Sequence, residues 1–196
     1  MTLNIPKFLF IYEQEQFKTL DDYAKSGLTD VLAFLFNDPK MTDNRWIAYA
    51  LATVQHECAG VWQPIEEYGK GKGKKYGIPD KRTGQTYYGR GYVQCTWYDN
   101  YKMLTDAWNK QHPNAQIDFT LHPELLCIPE YAYWAMSYGM RNGSYTGVGL
   151  SKYFNDEKTD PLNARKIING LDKAGLIAGY YDKFITIISE SEVADA

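Results

Sequence analysis

His56 and Glu57 stand side by side at the end of a segment whose apolar residues Ile47, Ala50, Leu51 and Val54 recur at spacings of three and four. Glu57 falls three residues beyond Val54 and seven beyond Ala50, so on a helix it lies on the buried stripe. Loss of water and the negative end of the helix dipole both disfavour a charged carboxylate at such a place. A carboxyl group kept protonated near neutral pH is what a general acid requires. The alternative is a structural pair in which Arg90 or Arg165 neutralises the carboxylate. The dipeptide also invites the zinc-peptidase pattern HExxH, but the chain reads HECAG, with Gly60 where the second histidine must stand. No metal or other cofactor is expected. His112 and His122 sit near prolines and read as turn or surface residues.

A second acidic group, Glu66-Glu67, follows beyond Trp62 and Pro64. One neutral and one ionised carboxyl facing a common cleft are the minimum equipment for hydrolysing a glycosidic bond. Neighbouring glutamates point apart, so only one of this pair can serve, and paired glutamates are also commonplace on solvated faces. The stretch GKGKGKK, Gly69 to Lys75, lacks the ending of a phosphate-binding loop. It reads either as a basic rim contacting an anionic polymer or as a solvated loop. The run YYGRGYVQCTWYDNY, Tyr87 to Tyr101, sets Gly89 and Gly91 around Arg90 and offers Tyr88, Gln94, Thr96, Trp97, Asn100 and Tyr101 as rings and neutral hydrogen-bonding groups. Such a mixture suits a sugar, which is apolar on its faces and polar at its edges; a tyrosine-rich core turn is the plain alternative.

Helices must position these groups. Thr42 or Asp43 can cap the segment running toward Gly60. Leu20 to Phe36 and Pro161 to Ile188 contain further helical segments, the latter opening on Pro161 and punctuated by Gly170, Gly175 and Gly179. Tyr131 to Tyr138 returns to helical spacing, and its aromatic stripe reads as core packing. Between them, Gly69 to Gly91 holds a dense run of glycines with Pro79 and Asp80, the signature of a long structured loop with a small hairpin. The acidic C-terminal SESEVADA is expected to fray.

Composition limits the classes. The 196 residues are 44% hydrophobic and 23% charged, an ordinary globular balance that suits one domain spanning 1–196. A net charge of −3 removes the broad basic field of a nucleic-acid or anionic-membrane binder. No apolar run is long enough to span a bilayer. The N-terminal MTLNIPKFLFIYEQEQ lacks the basic start and small-residue cleavage site of a secretory signal. Synthesis in the cytoplasm is therefore expected, or secretion if the sequence is a mature form. Cys58, Cys95 and Cys127 are odd in number and read as reduced thiols. Aromatics reach 15%, with 17 tyrosines among them, rings suited to half-wet grooves.

The order HE, PIEEYGKGKG, YYGRGYVQCTWYDNY, MRNGSYTG and NARKIINGLDKAG resembles the family 19 glycoside hydrolases, the chitinases of plants and bacteria and the lysozyme-like endolysins of phages. The resemblance covers about 45–184. It implies a mainly α, lysozyme-like, two-lobed helical domain with a central cleft and a small hairpin or loop region. It also implies Glu57 as general acid and Glu67 as general base, the latter because Pro64-Ile65-Glu66-Glu67 places Glu67 fourth in the family's Pro-Ile/Val-any-Glu pattern; Glu66 is the fallback. Thr96 matches the residue that helps hold the attacking water. Tyr88, Gln94, Asn100 and Asn169 match groove positions, Arg90 and Trp97 join them as substrate-binding candidates, and Arg165 stands as a partner for a carboxylate. The loop between Glu67 and Tyr87 is short beside the plant enzymes, whose disulfide cysteines are missing, and Cys95 replaces a usual aliphatic residue.

The resemblance therefore implies an inverting endo-glycosidase acting on the β-1,4 bonds of an N-acetylglucosamine-containing polysaccharide; a monomer is expected, and charge and composition point to no nucleic-acid or membrane partner. Peptidoglycan is favoured over chitin because the compact chain shows neither signal peptide nor chitin-binding module, as in a phage lysis enzyme made in the cytoplasm and released to the cell wall. A chitinase, and a catalytically idle carbohydrate-binding domain, are the alternatives.

Overall fold

The computed structural model describes residues 2–14 and 19–193. Among these the chain is mainly helical, with α1 (Ile5–Gln14), α2 (Asp22–Asn37), α3 (Asn44–Glu57), α4 (Tyr98–Gln111), α5 (Pro129–Asn142), α6 (Pro161–Ala164) and α7 (Ala174–Ser191). Strands are confined to three two-residue antiparallel pairs. They are β1 (Thr2–Leu3) with β6 (Glu192–Val193), β2 (Ile65–Glu66) with β3 (Arg90–Gly91), and β4 (Phe154–Asn155) with β5 (Lys158–Thr159). No helix is long and apolar enough to cross a membrane among the described residues.

Two compact units result, one from Met1–Gln63 with Ser137–Ala196, the other from Pro64–Met136. In the first, α3 packs chiefly on α7, and α1 and α6 also rest on α7. Local chemistry starts the helices: the Asp21 carboxylate accepts from the Ala24 N–H, Asp43 from Arg45, and Asp160 from Asn163, with Pro161 opening α6. Asp43, rather than Thr42, is thus the cap of α3. Phe8 stacks on Phe184 at 6.3 Å, and Trp62 meets Phe184 edge-on at 5.8 Å. The Trp62 indole donates to the Tyr12 hydroxyl, which donates to Gln55. Gly27, inside α2, lets that layer close, because a Cβ there would lie 2.4 Å from the Trp62 carbonyl oxygen.

In the second unit Trp108 of α4 meets Trp134 and Tyr131 of α5 edge-on at 5.0 and 5.1 Å, and His112 stacks on Trp108 at 3.9 Å. The stripe in α5 is core packing, as its spacing implies, and His112 is half-buried rather than a free turn residue. Three features depart from expectation. Helix α1 lies outside the helical segments that the sequence indicates. Tyr98–Gln111, where sugar-facing groups drew attention, opens as a helix. Of the C-terminal segment expected to fray, Glu192 and Val193 pair with β1 as β6; Ala194 to Ala196 lie outside the described residues.

Candidate active site

Glu57 is the last residue of α3, and its side chain is 14% exposed. It is mostly buried, as its place on the apolar stripe implies, and the arginine pair weighed as the alternative is formed. The Arg165 guanidinium, 4% exposed, donates from Nη1 to Glu57 Oε1 at 2.6 Å and from Nε to the Asp172 carbonyl at 3.0 Å. Arg165 opens a short 3₁₀ turn, Arg165–Ile167, directly after α6, so the capped start of α6 sets where the guanidinium sits. The partner is therefore Arg165 and not Arg90. One carboxyl oxygen is held by a charge-assisted bond and the other, Oε2, has no partner among the described residues. His56, beside it, has its pKa lowered, chiefly by burial. Asn169, on the same unit, is exposed and accepts from the Gly170 N–H at 2.8 Å.

On the second unit, the ladder of β2 and β3 places Ile65 opposite Gly91 and Glu66 opposite Arg90. Glu66 ends β2 and Glu67 follows it, its N–H donating to the Gly89 carbonyl at 2.7 Å, and the two side chains take different surroundings. Glu66 forms ion pairs with Lys70 at 2.9 Å and with Arg90 at 3.4 Å, and accepts the Tyr88 hydroxyl at 2.5 Å. The bonds from Lys70 and Tyr88 hold its carboxyl below the usual carboxylate range. Glu67 accepts only neutral donors: the Gly89 N–H at 3.1 Å and the Tyr76 hydroxyl at 3.2 Å. Among the described residues it makes no ion pair.

Around these carboxylates the candidates divide. Tyr88 and Arg90 are buried, the guanidinium lying 3.7 Å over the Tyr88 ring, so they support Glu66 instead of facing solvent. Arg90 also donates to Thr86 and Tyr88 carbonyls. Gln94, at φ +49°, donates to the Ile65 and Gly91 carbonyls and ties the hairpin to β2. Gly89 admits that side chain, since a Cβ there would stand 2.7 Å from Gln94 Oε1. Asn100, in the first turn of α4, donates to the Thr96 carbonyl at 2.9 Å, and Thr96 is half-buried. Trp97 is 48% exposed at φ +69°, with its ring edge-on to Tyr76 at 5.3 Å. Cys95 is buried, which pushes its thiol up to about 12 and leaves it inert.

Two residues escaped the sequence reading. Tyr76 lies in a glycine-rich loop, and nothing in its spacing announces a bond to Glu67. Lys70 reads there as part of a free basic row, whereas its ammonium is taken up by Glu66. Among the described residues there is no group of three or more His, Cys, Asp or Glu side chains able to hold a metal ion.

No family model matches the chain, and no curated protein matches it. Solved structures do. Chitinase C from Streptomyces griseus HUT6037 aligns with 95% of this chain and 76% of its own length at 22% identity and a TM-score of 0.56. A mutant form of chitinase C aligns with 95% of this chain and 92% of its own at 22% identity and 0.51. A bacterial family 19 chitinase aligns with 95% of this chain and 94% of its own at 20% identity and 0.54. The chain has the fold of these proteins, the mainly helical fold that its motifs imply.

Proposed function

We propose that this chain is a family 19 glycoside hydrolase, an inverting endo-glycosidase that cleaves β-1,4 bonds in an N-acetylglucosamine-containing polymer, with peptidoglycan as the favoured substrate. The observation that carries the reading is the contrast between two glutamates: Glu57 held at one oxygen by buried Arg165, and Glu67 held by neutral donors alone. The motif order and the fold shared with chitinases support the same conclusion.

In this reaction Glu57 protonates the departing glycosidic oxygen from Oε2, the oxygen that Arg165 leaves free. Glu67 draws a proton from a water that attacks the anomeric carbon on the opposite face, and Thr96 helps hold that water. Inversion needs the two carboxyl groups roughly 6.5–9.5 Å apart so that the water fits. Glu67 is preferred to Glu66 as the base because a carboxylate already paired with Lys70 and Arg90 has less tendency to take a proton. Gln94 and Asn100 serve from the groove walls, Trp97 offers a stacking face, and Tyr88 and Arg90 act from behind. Asn169 contributes from the exposed turn after Arg165.

Exposed Lys72 and Lys74, which form no ion pair among the described residues, support an anionic wall polymer. The chitinases of like fold favour the second reading, chitin. Mass spectrometry of purified peptidoglycan after digestion, beside sugar release from chitin oligomers, tests the choice. A new reducing end in peptidoglycan supports the first reading and identifies the bond, while turnover of chitin oligomers alone reverses it. An idle binding domain predicts no turnover of either.

A further inference from the structure

The segment MRNGSYTG, residues 140–147, has no part in the hydrolysis described above. Its course is nevertheless closely specified. The chain leaves α5 at Asn142 and doubles back through Gly143 and Gly147, whose φ of +67° and +86° a residue with a side chain resists. The Ser144 N–H donates to the Gly139 carbonyl at 3.0 Å, and the Gly147 N–H to the Gly143 carbonyl at 2.7 Å. Gly139, inside α5, leaves room for the Tyr145 ring, which a Cβ at that position would strike. Thr146 is therefore carried on a loop fixed on both sides.

The Thr146 hydroxyl donates to the Lys166 carbonyl at 2.6 Å and stands 3.1 Å from the Ile167 carbonyl. Both carbonyls belong to the 3₁₀ turn Arg165–Ile167. The end of a helix leaves its last carbonyls without partners of its own, so a side-chain donor placed there fixes it. Asp160 and Pro161 hold the other end, at the start of α6. Arg165 sits between these two anchors. Its buried guanidinium reaches Glu57 Oε1 at 2.6 Å and the Asp172 carbonyl at 3.0 Å, so the place of the turn decides where the charge meets the carboxylate. Thr146 itself is exposed, and its contact with the turn runs through the hydroxyl.

We propose that Thr146 is a positioning residue for the hydrolysis: by holding the carbonyl end of the Arg165–Ile167 turn, it keeps the Arg165 guanidinium on one oxygen of Glu57 and the other oxygen aimed at the leaving group. Small misplacements of a reacting group are costly in rate, and a bond remote from the chemistry can prevent them. The proposal rests on the assignment of Glu57 as the acid. Without the hydroxyl, the cap at Asp160 still starts α6, so the fold is kept while the guanidinium loses its fixed place.

The test compares Thr146→Val, which keeps the shape and loses the donor, with Thr146→Ser, which keeps the donor. Turnover is measured on chitin oligomers and on purified peptidoglycan, and the Arg165 Nε–H is followed by NMR. Thr146→Val should lower kcat about tenfold while KM stays within about twofold, and Thr146→Ser should restore kcat to within about twofold of the parent. The Arg165 Nε–H resonance should move in Thr146→Val and stay in place in Thr146→Ser, with the parent melting temperature kept in both. An unchanged kcat in Thr146→Val, an equal loss in Thr146→Ser, or an unmoved Arg165 resonance overturns the proposal. If Thr146→Val folds poorly, Thr146→Ala is read by the same measurements. Turnover of Glu57→Gln is measured separately: full activity there removes the assignment of the acid, and the Arg165 resonance still decides whether Thr146 places the guanidinium.

Discussion

At the scale of single residues, Glu57 and Glu67 are distinguished by what touches them. Glu57→Gln removes the transferable proton while keeping the side chain's shape, so kcat on the polymer should fall by about 10²–10⁴, with ligand binding retained in calorimetry. Glu67→Gln should fall by a similar factor, and Glu66→Gln by less than about tenfold, because its partners position it as a support rather than a base. A dead Glu66 variant beside an active Glu67 variant would exchange the two assignments. Arg165 has a second, structural part. Replacing it with alanine removes the charge-assisted bond to Glu57 and the bond to the Asp172 carbonyl in a mostly buried place, and urea unfolding should show a loss of about 1.5–3 kcal/mol. The candidate acid was legible because an acidic residue on an apolar helical stripe is an anomaly that demands a partner. The identity of that partner, 108 positions away along the chain, was open between two arginines on the residues alone, and only the family resemblance pointed to Arg165.

At the scale of elements, the helices that hold the site follow from short-range rules: aspartates that cap, prolines that open and apolar residues at three and four. Where a close contact overrides propensity, the sequence is silent. Gly27 lies inside α2, where alanine is intrinsically the better helix former, yet a Cβ would strike the Trp62 carbonyl. Gly27→Ala should therefore destabilise the protein by about 1–3 kcal/mol through overpacking, read as a lower denaturant midpoint. The loop from Gly69 to Tyr87 gives a pH prediction. Bonds from Arg82 hold Asp80 at about 2, below its ordinary 3.8. A depressed folded-state value means that the stabilisation is complete above the ordinary value and is lost as pH falls from about 4 toward about 2. The Arg82 side-chain resonances should keep their folded dispersion at pH 5 and lose it below pH 3, and Asp80→Asn should abolish that transition.

At the scale of the whole molecule, the choice between polymers turns on charge. The chain carries −3 overall, so contact with an anionic wall must be local, and Lys70 is already occupied by Glu66. Exchanging Lys72 and Lys74 together for glutamine should slow lysis of permeabilised Gram-negative cells several-fold and flatten its dependence on salt, since exposed charges are screened over about 10 Å at 0.1 M. Hydrolysis of neutral chitin oligomers by the same variant should be unchanged; an equal loss on both polymers would remove the basic loop from wall recognition. The sequence by itself determined the helical class, the run from His56-Glu57 through Glu66-Glu67 to the YYGRG segment, and the sugar-suited mixture of rings and amides. Composition and local spacing encode these, and both are read within a few turns of chain. Only the tertiary structure decided that Arg165 meets Glu57, that Lys70 and Arg90 claim Glu66 while Glu67 keeps neutral donors, and that Trp97 stands open while Tyr88 is covered. Those outcomes depend on which distant groups share a contact and on which face of a short ladder each side chain leaves, and a shift of one residue reverses that face.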